Sequence, residues 1–320
     1  MPTEAILLHD HPEFADLLRI VAEQEGIDPV LIEKDYWITH VLWGLKHQGF
    51  TFALKGGTSL SKGHQIIERF SEDLDLLIEP PGNLGFEVNP DSQKANAVKS
   101  RKDFYDWLAL HINIPGIVKV ERDAEFDDTR YYRSGGIRLY YQSATGSLPG
   151  VKDGILLEAG FSKVAPNEPK LISSWAFDFA ATRLREGIID NRAIDVPCYH
   201  PGYTLVEKVQ TIIRHYRQEA QDGTKKRNYM RQYYDVYCLL NIAIVQQFID
   251  HPDYATHKAA WIRNQDAAIP IPEHPAFTLT DPDLLADFTI RYTNTRALYY
   301  RGQVPFTELI VRIQANLHRL

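Results

Sequence analysis

The residues best placed to do chemistry lie in two short stretches, Leu54-Lys55-Gly56-Gly57-Thr58-Ser59-Leu60 and Arg69-Phe70-Ser71-Glu72-Asp73-Leu74-Asp75-Leu76. A strand that ends in Gly-Gly and turns at once lets a phosphate approach the main chain with no Cβ in the way, and Thr58 and Ser59 add hydroxyls beside it. Asp73 and Asp75 alternate with Leu74, Leu76 and Ile78. In a strand this puts both carboxylates on one face, roughly 6–7 Å apart, and the apolar set on the other. Two such carboxylates can share divalent metals. Mg²⁺ prefers oxygen ligands and bridges carboxylates to substrate phosphates, so a phosphate cradle beside paired aspartates suits phosphoryl or nucleotidyl transfer, with a two-metal clamp on the attacking and leaving oxygens. Neither stretch means much alone; the order of glycines, spacer and acidic strand is what carries the reading. No Gly-Lys-Ser or Gly-Lys-Thr ending is present, which disfavours a P-loop NTPase.

A third acid stands in Gly154-Ile155-Leu156-Leu157-Glu158-Ala159-Gly160-Phe161. Alternation sends Glu158 to the face opposite Ile155, Leu157, Ala159 and Phe161. An acid in so apolar a strand is costly to bury without a metal or a basic partner. An edge strand with Glu158 in water is the equally weighted alternative.

Several elements must position these residues. His11–Glu25 and Pro29–Gly49 have helical spacing, and Asp28-Pro29 supplies a capping acid and a first-turn proline, so the first 50 residues read as a helical hairpin. Strands are predicted over 51–55, 74–78, 117–120, 137–141 and 155–161, with one helix-length segment between the first two. A loop follows over 80–93 and a helix over 94–111. Beyond Leu171 strand signals are scarce. Helices are predicted over 205–218, 228–248 and 306–320. The reading is α+β: an N-terminal helical segment (1–50), a core of mixed sheet and helices (51–170), and a largely α-helical C-terminal domain (171–320).

Composition narrows the function classes. The chain has 320 residues, 44% hydrophobic and 24% charged, with a formal net charge of −7, which excludes disorder as the dominant state. Cys198 and Cys238 are far apart with no CxxC, against a disulfide scaffold or a structural zinc site. The N-terminus makes a poor signal peptide, and the longest apolar stretch, Val236–Val245, is far below the roughly 20 residues of a membrane span and reads as a buried helix. A cytoplasmic protein without membrane partners is expected. Between Tyr203 and Arg231 seven basic residues (Lys208, Arg214, Arg217, Lys225, Lys226, Arg227, Arg231) face three acidic ones. Such a patch could meet a polynucleotide, although on charge count a solvated helix face is the better reading. His9-Asp10-His11 reads as a solvated capping stretch. Most of Phe104, Tyr105, Trp107, Tyr131, Tyr132, Tyr140 and Tyr141 read as core.

The motif from Gly56 to Leu76 resembles the first motif of the AbiEii/AbiGii (MenT-like) nucleotidyltransferase toxins, a branch of the DNA polymerase β-type superfamily. Three further stretches are similar to that family: Leu31–Trp37, Tyr203–Val209 with Glu207-Lys208, and Arg231–Tyr237 with Asp235. The resemblance runs from about residue 30 to 240 and implies a polymerase β-like core. It implies that Gly56, Gly57, Thr58 and Ser59 hold nucleotide phosphates, that Asp73 and Asp75 bind Mg²⁺ (with Mn²⁺ as an alternative), and that Lys208 and Asp235 belong to the active site, the lysine on the triphosphate. Glu158 is carried as a third metal ligand. Arg69 is carried as a nucleotide-binding residue, with a structural bridge to Asp73 or Glu72 as its alternative. Without the family, Arg231 and Asp235 would be an ordinary i,i+4 pair. The activity implied is transfer of NMP from an NTP to an acceptor hydroxyl. The implied setting is a type IV-like toxin–antitoxin or phage-defence pair, with a transfer RNA 3′ end as acceptor and a separately encoded antitoxin as partner. The alternatives are a small-molecule or protein acceptor, or an inactive nucleotide-binding regulatory module.

Overall fold

A computed structural model describes residues 5–183, 187–226, 229–262 and 265–320. The chain forms two compact units: Met1–His64 with Ser71–Tyr199, and Gln65–Phe70 with His200–Leu320. The first ends at Tyr199, so the strand that closes it lies beyond residue 170.

In the first unit, α1 (Phe14–Glu25) begins three residues later than its spacing suggests, because Leu8–Asp10 forms a separate 3-10 turn. It stops at Gly26, whose left-handed φ of 68° suits glycine. Helix α2 (Pro29–His47) starts as predicted: the Asp28 carboxylate accepts from the Val30 amide, and Pro29 occupies the first turn. Nearly all of α2 is buried, including Glu33, Lys34 and Asp35.

Seven strands form one mixed sheet: β1 (Phe52–Lys55), β2 (Asp73–Ile78), β3 (Ile117–Asp123), β4 (Ser134–Tyr141), β5 (Ile155–Gly160), β6 (Asn167–Ile172) and β7 (Ala193–Tyr199), in the order β3-β4-β5-β2-β1-β7-β6. Strand β2 lies antiparallel to β1 and parallel to β5. Its alternation holds, with Leu74, Leu76 and Ile78 buried and Asp73 and Asp75 half-exposed. The helix-length segment predicted after Gly57 is shorter than its spacing allows. A single turn, α3 (Gly56–Thr58), passes into a π turn over Ser59–Gly63, and Gln65 then takes φ 54° and ends helical structure. Helices α4 (Ala95–His111) and α5 (Trp175–Arg183) complete the unit.

Strands β6 and β7 escape the sequence reading because of Pro169 and Pro197, which face each other across that pair. Proline cannot donate to a ladder and is tolerated at an edge, where β6 lies. Strand β7 then joins the sheet parallel to β1, with Leu54 opposite Cys198.

The second unit is helical: α6 (Pro201–Asp222), α7 (Arg231–Leu240), α8 (Ala243–Ile249), α9 (Pro252–Trp261), α10 (Pro275–Thr278), α11 (Pro282–Thr293) and α12 (Phe306–Gln314). The single helix predicted over 228–248 is two, because Asn241 ends α7 and Ile242 is extended; Asn228 lies outside the described residues. The apolar stretch Val236–Val245 is therefore a helix pair rather than one buried helix. The C-terminal helix stops at Gln314 and continues as turns. Helix α6 has the expected helical period and buries Leu205, Val209, Ile212 and Ile213, while Tyr216 on the same side is half-buried. Tyr229, Tyr233, Phe277, Phe288, Tyr292 and Phe306 form an aromatic core. The short segment 65–70 belongs here: Phe70 donates its amide to Leu298 (2.7 Å), and the Tyr300 hydroxyl donates to Ile67 (3.2 Å).

Candidate active site

The first unit gathers the acids of the sheet. Register sets Asp73 opposite Leu156 and Asp75 opposite Glu158, and on the other side Asp75 is opposite Lys55. Cross-strand partners share a face, so Lys55, Asp75 and Glu158 form a row, with Asp73 one row away. Gly56 follows Lys55 at φ +69°, and a Cβ there would stand 1.9 Å from Asp75 Oδ2. Only glycine lets the turn pass the carboxylate. One hydroxyl of the turn braces the fold. Thr58 is buried and donates to the Asp73 carbonyl (2.6 Å), pinning the turn to the start of β2. Ser59 is buried and lies against the Cys198 thiol, which burial pushes up to about 11.

Electrostatics separate the acids. Burial first, then Asp75 and Asp73, push the Glu158 carboxyl up to about 8, against the opposing pull of Lys152 and Lys55. Asp73 is also raised, by burial and by its acidic neighbours Asp75 and Glu72. Edge exposure is therefore not the state of Glu158. Among the described residues no group of three or more His, Cys, Asp or Glu is gathered so as to hold a metal ion. The donor set still suits Mg²⁺, since it is all oxygen, Gly56 clears space at Asp75, and this ion is commonly held by one or two carboxylates together with substrate phosphates.

Sequence reasoning missed the support beneath this row. Lys34 on α2 is 1% exposed and reaches Glu72, the residue before Asp73, at 3.4 Å. Beside it Lys62 donates to Asp35 at 2.5 Å, and Glu33 accepts from Ser143, Ala144 and Thr145. The signal was three consecutive charges, Glu33-Lys34-Asp35, in an apolar helix, where charges must find partners. His9 is another departure: it is enclosed, with Nδ1 2.8 Å from the Tyr36 hydroxyl, not a solvated cap. Of the seven aromatics expected to be mostly core, Phe104 and Tyr105 are buried, whereas Trp107, Tyr131, Tyr132, Tyr140 and Tyr141 are half-buried.

The second unit gathers the other candidates. Arg69 meets neither Asp73 nor Glu72; its Nε and Nη2 bind both oxygens of Asp235 at 2.6 and 2.7 Å. Lys208 reaches Asp235 at 2.9 Å. Asp235 is thus the centre of a triad, not the partner of Arg231 in an i,i+4 pair. Burial alone would raise its carboxyl, but Arg69 and Lys208 outweigh that and hold it at about 2. The basic segment is largely spoken for: besides Lys208, Arg217 pairs with Asp266 (2.6 Å) and Lys225 with Asp287 (2.7 Å), while Arg227 lies outside the described residues.

The family model described as "Nucleotidyl transferase AbiEii toxin, Type IV TA system" matches residues 43–311, spanning both acidic centres. The chain belongs to this family. Its fold is α+β and its activity is that of a nucleotidyltransferase, acting on a nucleotide substrate as the toxin of an antitoxin-controlled pair. Among solved structures it is similar to an antigenic nucleotidyltransferase-like protein from Paracoccidioides brasiliensis, at 13% identity over 74% of this chain and 97% of that one, with a TM-score of 0.33. No curated protein matches the chain. No described helix of this AbiEii-family chain is long and apolar enough to cross a membrane.

Proposed function

We propose that this AbiEii-family enzyme transfers NMP from an NTP to the 3′-hydroxyl of an RNA, with transfer RNA the acceptor class, in the cytoplasm and as the toxin of a phage-defence pair. The observation that carries the transfer chemistry is the row on the sheet face: Asp73 and Asp75 on β2, Glu158 level with Asp75 on β5, and a glycine turn that clears Asp75 Oδ2. Asp73 and Asp75 would hold Mg²⁺, with Glu158 beside them as the third acid. When bound, the ion supplies Lewis-acid stabilisation to the phosphates and lowers the pKa of the attacking hydroxyl. The chain's own part is to exclude bulk water, aim the carboxylates and present the Gly56–Gly57 main chain to the polyphosphate. Glu158, raised to about 8 by burial and by Asp75 and Asp73, would give up its proton on joining them as an oxygen donor to the ion. Lys208 and Asp235 enter this reading through the family motif, and the 2.9 Å contact with Asp235 supports a lysine held in a fixed place.

Purified protein incubated with Mg²⁺, each α-labelled NTP and total RNA, beside Asp75→Asn, tests the reading. Label entering small RNA only with the unmodified protein is the expected result, and the variant should lose about 10³-fold or more in rate, the effect of removing a metal-holding carboxylate. Label in protein or in a small molecule overturns the RNA acceptor. No label anywhere, with NTP binding retained, overturns transfer itself.

A further inference from the structure

The hairpin loop between β4 and β5 is tied down at both ends by consecutive residues of α2. At its start Glu33 accepts from the Ser143 hydroxyl and from the amides of Ala144 and Thr145 (2.8, 2.7 and 3.1 Å), and the Thr145 hydroxyl joins them. At its end, Glu72 accepts the Lys152 amide (3.0 Å) while the Lys34 ammonium donates to the Lys152 carbonyl. Both polar groups of one main-chain residue are therefore gripped by a single ion pair whose side chains are 1% and 8% exposed. Burying such a pair carries a desolvation penalty that its attraction does little more than offset, so general stability is a weak reason for it. Placement of what it grips is a better one.

What it grips is a lysine that projects outward. Lys152 is exposed, its ammonium rests on the Phe126 ring at 4.2 Å, and among the described residues it makes no salt bridge. Three residues on, β5 begins, and Leu156 stands opposite Asp73. Glu72 adjoins Asp73 in sequence, so the clamp fixes Lys152 relative to the acidic row itself. The charge of Lys152 reaches that row, where it opposes the upward shifts of Asp73 and Glu158. A cation held by its main chain beside carboxylates, yet bonded to none, is free to take an anion arriving there.

We propose that Lys152 is a polyphosphate-binding residue of the first unit and that Lys34 and Glu72 are the positioning residues that hold it. The proposal rests on the nucleotidyl-transfer reading above. Any nucleoside triphosphate would engage it through its phosphates, without regard to the base.

The test is calorimetric binding of inorganic tripolyphosphate and of each NTP to the full chain in Mg²⁺, with KM and kcat for transfer measured alongside. Lys152→Ala is expected to weaken tripolyphosphate and NTP binding roughly ten- to hundredfold, the effect of losing a charge-assisted contact. KM for the NTP should rise with kcat little changed, and Lys152→Arg should restore most of the affinity. Because Lys152 is exposed, the fold survives its removal, and an unchanged melting temperature checks this. Glu72→Ala should raise KM in the same way and Glu72→Gln should recover it, since Gln keeps an oxygen for both donors; a merely structural pair would move the melting temperature and leave KM alone. Lys152→Ala binding tripolyphosphate as tightly as the unmodified chain overturns the proposal while leaving transfer standing. An unmodified chain that binds no NTP and transfers nothing overturns both.

Discussion

The two units treat a buried carboxylate in opposite ways. In the sheet unit, Asp73, Asp75 and Glu158 crowd one face, and the group furthest from its ordinary titration, Glu158, is pushed up to about 8. In the helical unit, Asp235 is entirely buried, yet it is gripped by a bidentate arginine and a lysine and held at about 2. The first arrangement is electrostatically incomplete and the second complete. Several acids crowded on one face are what a site for a cation requires. Asp235 has no such capacity to spare: both its oxygens are taken by Arg69 and Lys208, which it holds in place.

The sharpest way to break this contrast is to neutralise one acid from each centre. Asp235→Asn should destabilise the protein by about 3–5 kcal/mol in chemical denaturation, because it leaves two buried cations facing an amide. Asp75→Asn should leave metal-free stability unchanged or raised, since it relieves like-charge repulsion beside Asp73 and Glu158. Equal losses in both variants would mean that the row on the sheet is an ordinary neutralised cluster.

The pH dependence of stability in EDTA separates the two centres next. Glu158 titrates at about 8 in the native state against 4.5 ordinarily, so between those values the folded chain binds a proton that the unfolded chain has lost. Stability from this group therefore falls as pH rises from 4.5 to about 8, and Glu158→Gln should flatten that fall. Asp235 has the opposite sign. Its folded value of about 2 lies below the ordinary 3.8, so its contribution is full above 3.8 and is lost as pH drops toward 2. Melting temperatures across this range, with and without each substitution, read both limbs.

How much of this was legible in the sequence follows the same division. The acidic row was readable because a strand has period two: Asp73 and Asp75 must share a face whatever the surroundings, and Gly56-Gly57 marks the turn before them. The triad was not, because Arg69 and Asp235 are 166 residues apart and sequence spacing offers only local partners. Local pairing favoured Glu72 or Asp73 for Arg69 and Arg231 for Asp235; tertiary packing of segment 65–70 into the helical unit decided otherwise. Strands β6 and β7 were hidden for another reason, since Pro169 and Pro197 contradict strand propensity; the edge position of β6 makes Pro169 tolerable, and Pro197 lies opposite it. The partners of the basic segment were not legible along one helix, because the acids that meet Arg217 and Lys225, Asp266 and Asp287, lie far downstream.

A smaller effect tests the geometry of the row. Gly56→Ala places a Cβ 1.9 Å from Asp75 Oδ2 at a backbone angle of +69°, so the turn or the carboxylate must move. The left-handed conformation alone is worth roughly 1–2 kcal/mol against a non-glycine residue. Transfer activity should fall further than stability does, because the displaced group is the one proposed to hold the metal. Activity falling only in step with stability would detach Gly56 from the site.

The smallest effect is expected where pairing is present and burial is not. Lys225 meets Asp287 at 2.7 Å, a distance as good as those in the triad, but the two side chains are 56% and 35% exposed. Water screens the attraction, and holding two long side chains in register costs entropy that burial does not repay here. Lys225→Ala should therefore change stability by about 0–1 kcal/mol, within the range of exposed pairs. Set against Asp235→Asn, the comparison contrasts an exposed single contact with a buried triad at nearly the same contact distances. A loss approaching that of Asp235→Asn would show that contact distance alone had set the strength of both centres, and that the contrast between an incomplete and a completed acid needs another cause.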